Sequence, residues 1–162
     1  MISQKQTVYS EDLANKRMKV TRDFDAPVEK VWKAWTEPEM LDQWWAPKPW
    51  KAITTKMDFR EGGTWLYYMQ GPEGERHYCI CEYKTIEKGK RFTGKDAFTD
   101  EEGKINKDLP QTEWDVNFQD KGDTTTVEVK LSFATEEAMK QTLEMGFKDG
   151  FAAAHENLDA LL

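Results

Sequence analysis

The feature of the sequence that most constrains the fold is a run near the C-terminus in which apolar residues recur with the period of an α-helix. The run extends from Thr135 to Leu161, and Thr135 is a suitable N-cap residue. At about 100° per residue, one stripe is formed by residues spaced i, i+3, i+4 and i+7, namely Met139, Leu143, Gly146, Phe147, Gly150, Ala154, Leu158 and Leu161. The pattern predicts one continuous helix of about 40 Å with a single apolar face.

Most of the chain before this helix alternates apolar and polar residues with a period of two, which is typical of β-strands. A first strand is predicted from Lys16 to Phe24, followed by two short helices that begin near Pro27 and Pro38. Six strands separated by turns are predicted for residues 51–133. In the first of them, the side chains that alternate onto one face, expected to be the inner one, are Ile53, Thr55, Met57 and Phe59. This order predicts an α+β fold in which a curved antiparallel sheet wraps around the C-terminal helix.

Length and composition favour one domain. A chain of 162 residues matches a single domain that buries a core or encloses a cavity. Residues 1–15 are polar and are expected to form a flexible N-terminal arm. The domain itself is then expected to comprise residues 16–162, as a monomer or a homodimer.

The charge and the two cysteines limit the expected partners and compartment. The formal net charge of -7 argues against nucleic acid and anionic membranes as partners, because both attract basic patches. The sequence contains no apolar signal-peptide core and no segment that approaches the roughly 18 apolar residues of a membrane span. Cys79 and Cys81 are about 6.6 Å apart along a predicted strand, which is awkward for a disulfide. We therefore expect a cytoplasmic protein.

Three chemically active residues, His77, Cys79 and Cys81, alternate along one face of a predicted strand. Thiolates and imidazoles bind zinc, but residues on one strand face splay apart and no fourth ligand is evident, so no metal is expected. A cysteine nucleophile would need His77 as its base and a carboxylate from Asp96 or Asp115. Nothing in the sequence singles out that arrangement, and we expect no catalytic residue and no cofactor.

Bulky side chains on the predicted inward faces indicate either a core built from large residues or an apolar ligand cavity. The chain contains 7 tryptophans, and methionine adapts readily to the shape of a ligand. The candidates for such a pocket are Trp35, Trp44, Trp65, Tyr67, Met69, His77, Cys79, Cys81, Phe92, Asp96, Trp114, Val116, Met139, Leu143, Gly146, Phe147 and Gly150.

Few polar residues share these inward positions. Arg22 is in phase with the apolar residues of the first strand, so it is a candidate anchor for a polar ligand group or a partner for Asp96. Gly146 and Gly150 each cost about 1 kcal/mol relative to alanine in a helix. Their missing side chains are expected to allow either close packing or room for a ligand. His155 lies about 115° from the centre of the helical stripe and is expected to be solvated.

Several segments resemble the family of activators of heat-shock protein 90 ATPase and their homologues. The resemblance extends over about residues 16–162 and is carried by RDFDAPVEKVWKAWTEPEMLDQWWAP at residues 22–47, DFREGGTWLYYM at residues 58–69 and GFKDGFAAAHENLDALL at residues 146–162. It implies the START-like or SRPBCC superfamily, with its helix-grip, birch-pollen-allergen-like fold. It also implies a cavity between the sheet and the C-terminal helix, which in relatives holds hydrophobic small molecules.

We therefore expect a small-molecule binding protein, rather than an enzyme, that holds a hydrophobic or aromatic ligand between the sheet and the C-terminal helix. Two alternatives stay open. One is an enzyme with cyclase-like or hydrolase-like chemistry in the same cavity, which an acid or base with a shifted pKa would favour. The other is a module that interacts with a chaperone or another protein, which an exposed apolar face would favour.

Overall fold

The computed structural model describes residues 7–162. Within these residues the chain forms eight strands and four helices. The strands are β1 (Val8–Asp12), β2 (Arg17–Phe24), β3 (Lys51–Met57), β4 (Thr64–Gln70), β5 (Arg76–Glu87), β6 (Arg91–Thr99), β7 (Thr112–Asp120) and β8 (Thr125–Phe133). The helices are α1 (Val28–Thr36), α2 (Pro38–Trp44), α3 (Glu136–Glu144) and α4 (Phe147–Asp159).

The predicted α+β helix-grip fold is confirmed. The strands form one antiparallel sheet in the order β1-β2-β8-β7-β6-β5-β4-β3. Strands β3 to β8 follow one another as an antiparallel meander, in which short turns join all consecutive strands except β6 and β7, which are joined by residues 100–111. Helices α1 and α2 connect β2 to β3, which lies at the far edge of the sheet. The curved sheet thereby surrounds α4 on one side, while α1 and α2 cover the same concave face.

The two short helices form because their sequences combine prolines at the start with apolar residues on one face. Pro38 occupies the first position of α2, where its missing N–H costs nothing. In α1 the buried stripe includes Val31, Trp32 and Trp35. Trp32 meets Phe118 of β7 edge-on, with 5.0 Å between the ring centroids. Burial of each such side chain stabilises the fold by about 1.5–3 kcal/mol.

The C-terminal segment differs from the single continuous helix predicted from its periodicity. Thr135 is the N-cap as predicted, and its Oγ1 accepts a hydrogen bond of 3.0 Å from the backbone N–H of Ala138. The helix then ends at Met145 and Gly146, because Gly146 adopts a left-handed backbone with φ of 85°. The break changes the direction of the chain. Helix α3 buries Met139, whereas α4 buries Phe151, Ala154, His155 and Leu158.

Part of the segment predicted as a flexible N-terminal arm is a strand. Val8 to Asp12 pairs with β2 as the edge of the sheet, and the Tyr9 hydroxyl donates a hydrogen bond of 2.5 Å to the carbonyl of Lys148 on α4. The prediction was wrong for these residues, because a polar edge strand carries little apolar periodicity. The first six residues of the predicted arm lie outside the described residues.

Strand β3 contains an irregularity that reverses part of its predicted phase. Its pairing with β4 shifts between Thr54 and Lys56, and an extra residue at such a bulge moves subsequent side chains to the other face. Met57 and Phe59, after the shift, pack against the core as predicted, whereas before it Ala52 is the buried residue, and Ile53 and Thr55 do not point into the core. Among residues 7–162, no helix is long and apolar enough to cross a membrane.

Candidate functional site

A cavity of about 580 Å³ lies between the concave face of the sheet and helix α4. Its walls come from strands β4 to β8, from the helix break and the first turns of α4, and from the loop after α2. The lining residues are Trp45, Pro47, Trp50, Tyr67, Met69, His77, Cys79, Asp96, Ala97, Phe98, Pro110, Thr112, Trp114, Leu131, Phe133, Thr142, Met145, Gly146, Phe147, Gly150 and Phe151.

Strand register brings residues that are distant in sequence together on this wall. Asp96 of β6 is paired with Cys81 of β5 on one side and with Thr112 of β7 on the other. One step along the same face, Cys79 is paired with Phe98. Side chains two residues apart on a strand share a face, so the period-two pattern of each strand produces a continuous wall once the strands are aligned.

Trp45 borders both the large cavity and a separate void of about 20 Å³ beneath it. It is the C-cap residue of α2, directly after Trp44. Its ring centroid lies 5.4 Å from that of Trp65 and 5.7 Å from that of Trp114. The indole Nε1 donates a hydrogen bond of 3.1 Å to the hydroxyl of Tyr67. This bond and these ring contacts fix Trp45 as a rigid part of the wall.

Asp96 is the acidic residue of the cavity wall, and it borders both spaces. The structure gives its carboxyl group no hydrogen bond or ion pair within residues 7–162. Burial raises its pKa from 3.8 to about 7, because removal from water disfavours the charged form. Burial also raises the pKa values of Tyr67, Cys79 and Cys81, and the nearby Asp96 charge raises them further.

The residues considered for metal binding and nucleophilic chemistry occupy different environments. His77 is exposed at the mouth of the cavity, with its ring 5.4 Å from that of Trp50. Cys79 and Cys81 are free thiols, and their raised pKa values keep them protonated at neutral pH. A thiol in that state is a poor ligand and a poor nucleophile. The described part of the chain contains no cluster of three or more potential metal ligands.

The structure distributes the predicted pocket residues over three locations. Those that line the large cavity are Tyr67, Met69, His77, Cys79, Asp96, Trp114, Gly146, Phe147 and Gly150. Those that border only the small void are Trp35, Trp65, Cys81, Phe92 and Val116. Those that line neither space are Arg22, Trp44, Met139 and Leu143. A role in ligand contact stays a prediction for the first group.

Two of the excluded residues have other partners. Arg22 is buried on β2, and its guanidinium forms an ion pair with Asp159 near the end of α4. It therefore ties the helix to the sheet instead of pairing with Asp96. Trp44 is fully buried, and its Nε1 donates a hydrogen bond of 2.8 Å to the carbonyl of Ala34. Met139, a third residue that lines neither space, belongs to α3 and is buried in the core.

Several lining residues were missed by the sequence analysis. Phe98 and Thr112 share the inward phase of Asp96 and Trp114, so the period-two pattern already contained the signal for them. The same holds for Leu131 and Phe133 of β8. For Trp45, Pro47 and Trp50 no such signal exists, because they lie at and beyond the end of a helix.

His155 was predicted to be solvated, and this prediction was wrong. Only 1% of its surface is exposed, and its ring lies 4.2 Å from that of Phe151 and 5.6 Å from that of Phe24. Its Nδ1 shares a hydrogen bond of 2.9 Å with Thr7 Oγ1. Burial, with a further contribution from the Arg22 charge, lowers its pKa to about 3. The N-terminal residues and α1 cover a second face of α4, which its own periodicity does not reveal.

Solved structures of bacterial proteins resemble this chain over most of its length. Protein Ms6760 from Mycobacterium smegmatis has 31% sequence identity and a TM-score of 0.89, over 97% of this chain and 96% of that protein. A protein from Arthrobacter aurescens also has 31% identity and a TM-score of 0.89, with 94% and 89% coverage. A Staphylococcus epidermidis protein has 27% identity and a TM-score of 0.83, with 94% and 92% coverage. No curated protein matches the sequence significantly.

The sequence also matches a family model. The match is to the family described as "Activator of Hsp90 ATPase homolog 1-like protein", and it covers residues 25–162. This range includes both short helices, the strands from β3 to β8 and the C-terminal helices. The chain therefore belongs to the Activator of Hsp90 ATPase homolog 1-like protein family.

Proposed function

We propose that the protein binds a hydrophobic or aromatic small molecule in the cavity between the sheet and α4. The observation that carries this proposal is the cavity itself, whose volume of about 580 Å³ falls within the range of about 300–1,000 Å³ for small-molecule sites. Its lining is mostly apolar and contains few polar groups, which is the usual composition of such sites.

The mouth of the cavity has features that suit ligand entry. Met145 is 52% exposed and also lines the cavity, and methionine adapts its shape at low cost. His77 is an exposed lining residue as well, and its ring lies beside that of Trp50. Tyr67, Trp114 and Phe151 also line the cavity and are buried, so they offer a ligand apolar surface away from solvent.

Gly150 offers a direct test, because a larger side chain there reduces the cavity without straining the backbone. An added Cβ would meet only Pro47 Cγ, at 3.8 Å. Gly150→Leu should weaken binding of the uncharged fluorescent dye Nile red by about tenfold or more, because the leucine occupies ligand space. Gly150→Ala is the matched control, since it changes helix propensity with little loss of volume, and it should retain binding.

The measurement is a fluorescence titration of the wild-type protein and both variants, with circular dichroism to establish that all three are folded. Equal dye affinity in wild type and Gly150→Leu would contradict binding in this cavity. Absence of dye binding by the wild type, followed by absence of any co-purified small molecule in native mass spectrometry, would overturn the proposal.

An enzymatic function is the second candidate, and Asp96 is the observation that favours it. A general acid or base works best when its pKa lies near the operating pH, and the pKa of Asp96 is about 7. In cyclase-like or hydrolase-like chemistry, this carboxyl would transfer a proton to or from a ligand in the cavity. If aromatic ester or epoxide substrates turn over, Asp96→Asn should abolish the rate. A rate that survives in this variant would remove Asp96 from the chemistry.

A further inference from the structure

We propose that the ligand of this cavity carries a protonated amine, which pairs with the Asp96 carboxylate while the apolar body of the ligand packs against the aromatic rings. This inference rests on the proposed small-molecule function. It specifies the chemical class of the ligand, and it is argued from the charges, the rings and the titratable groups that surround Asp96.

The first argument is the charge balance of the cavity wall. No lysine or arginine is among the lining residues, and Asp96 has neither a hydrogen bond nor an ion pair within the described residues. Asp96 is half-buried in a mostly apolar wall, and a carboxylate in such surroundings is costly without a positive partner. Arg22, the buried cation that could have neutralised it, is instead paired with Asp159. A cationic ligand would supply the missing charge, whereas a carboxylate or phosphate ligand would meet repulsion.

The second argument is the arrangement of aromatic rings around the carboxyl group. Trp45 and Trp114 border the same two spaces as Asp96, and Trp114 lies two residues from Thr112, the pairing partner of Asp96. Phe98 lies two residues along β6. The faces of such rings attract ammonium groups, tryptophan most strongly. Carboxylate and rings together form a site that fits a cation better than an uncharged polar group.

The third argument concerns the groups that titrate near Asp96. On β4 and β5 these are Tyr67, Cys79, Cys81 and Tyr83, and burial followed by neighbouring negative charge raises the pKa of each. They therefore stay neutral near pH 7. Strand β7 faces Asp96 with the uncharged Thr112 and Trp114, α4 contributes Gly150 and Phe151, and Trp45 follows α2. His77 is at the exposed mouth. Asp96 is thus the group of the inner wall whose protonation changes near neutral pH.

This environment gives amine binding a measurable signature. With a pKa of about 7, Asp96 is about half protonated in the free protein at pH 7. A bound ammonium favours the carboxylate, so binding should release about half a proton per ligand at this pH. A neutral ligand that accepts a hydrogen bond from the protonated carboxyl would take up protons instead.

The test compares three ligands of similar shape and different charge: the cation of 2-(1-naphthyl)ethylamine, the uncharged 2-(1-naphthyl)ethanol and the anion of 1-naphthaleneacetic acid (naphthylacetate). Isothermal titration calorimetry of the full chain at pH 7 should give an affinity for the amine about tenfold or more above that for the alcohol. Naphthylacetate should bind more weakly than the alcohol. Repetition in buffers of different ionisation enthalpy gives the number of protons released.

Asp96→Asn is the matched variant, because it preserves shape and removes the charge. It should lose the preference for the amine, so that the amine and the alcohol bind with similar affinity. A wild type that binds alcohol and amine equally, or a variant that keeps the preference, would overturn the amine assignment alone. Failure of all three ligands to bind a protein that binds Nile red would likewise overturn the amine assignment alone, whereas loss of the proposed function requires the failure of the dye and mass-spectrometry tests described for it. The proton release of the wild type tests the inference independently of whether the variant folds.

Discussion

Asp96 in the cavity wall and His155 in the core affect the free energy of unfolding in opposite directions as the pH changes. Burial raises the pKa of Asp96 from 3.8 to about 7. At a pH between these two pKa values, Asp96 is protonated in the folded protein and ionised in the unfolded chain, so the free energy of unfolding falls as the pH rises. Burial and the Arg22 charge lower the pKa of His155 from 6.5 to about 3. Between these values only the unfolded chain is protonated, so stability falls as the pH falls.

The two effects offset one another between about pH 5 and 7 in the wild type, and Asp96→Asn should reveal the effect of His155. In this variant we expect the free energy of unfolding to be about 2 kcal/mol lower at pH 5 than at pH 7, whereas in the wild type the two values should be nearly equal. Urea denaturation at both pH values measures the difference. The double variant with His155→Gln should restore the flat profile. Parallel profiles for wild type and Asp96→Asn would contradict the raised pKa of Asp96, and parallel profiles for the single and double variants would contradict the lowered pKa of His155.

The adjacent residues Trp44 and Trp45 show how little separates a core residue from a cavity residue. Trp44 was a pocket candidate, but it is fully buried and bonded to the Ala34 carbonyl. Trp45 was not a candidate, yet it borders the cavity and bonds to Tyr67. The two differ by about 100° around the helix axis. Which of these directions faces the cavity depends on the placement of α2 against the sheet.

At the scale of secondary structure, Gly146 and Gly150 appeared equivalent in sequence but have different roles. Gly146 ends α3 in a left-handed conformation, with φ of 85°, and an L-residue pays about 1–2 kcal/mol for that geometry. Gly150 lies inside α4, where an added Cβ meets only an ordinary contact of 3.8 Å with Pro47. The first glycine therefore permits the break between the helices, whereas the second leaves space in the cavity wall.

Alanine substitutions should separate these two roles. Gly146→Ala should lower the free energy of unfolding by about 1–2 kcal/mol because of backbone strain. Gly150→Ala should raise it by up to about 1 kcal/mol, because alanine favours a helix over glycine. Urea unfolding of both variants beside the wild type measures the two changes. A stabilised Gly146→Ala variant would indicate a continuous helix, as the periodicity alone predicted.

At the scale of the whole molecule, the N-terminal strand links the open edge of the sheet to the C-terminal helix. The Tyr9 hydroxyl donates to the Lys148 carbonyl over 2.5 Å, and Thr7 Oγ1 shares a hydrogen bond with His155 Nδ1. An ion pair between Lys148 and Glu11 adds an exposed contact. Residues from opposite ends of the chain therefore stabilise the same helix.

Removal of residues 1–12 should lower the free energy of unfolding by about 2 kcal/mol or more, since each of the two hydrogen bonds is worth about 1 kcal/mol and the pairing of β1 with β2 is lost as well. Glu11→Gln is the control, because an exposed ion pair contributes less than about 1 kcal/mol. Denaturant unfolding of the two proteins gives the comparison. An unchanged stability after truncation would restore the view of this segment as a free arm.

A role as a protein interaction module has little support from the surface. Large exposed apolar side chains among residues 7–162 are Val8, Leu13 and Met145. Val8 and Leu13 lie at or beside the edge strand β1, and Met145 lies at the cavity mouth. Scattered apolar side chains of this kind need no partner. An exposed apolar face, which would favour an interaction module, is thus not seen among residues 7–162.

The sequence by itself determined the α+β architecture, the order of its main elements and most of the residues that face inward. It could do so because strand and helix periodicities are local properties of the chain, as are the helix starts at Pro38 and Thr135. The period-two pattern also identified cavity residues such as Tyr67, Asp96 and Trp114.

Only the tertiary structure decided the pairing of β1, the bulge in β3, the partner of Arg22 and the burial of His155. Each depends on contacts between segments far apart in sequence, for which no local pattern exists. The break at Gly146 is similar, because a stripe that continues across it looks the same whether the helix is straight or interrupted. Which inward positions border open space and which are filled is decided by the packing of α1, α2 and α4 against the sheet.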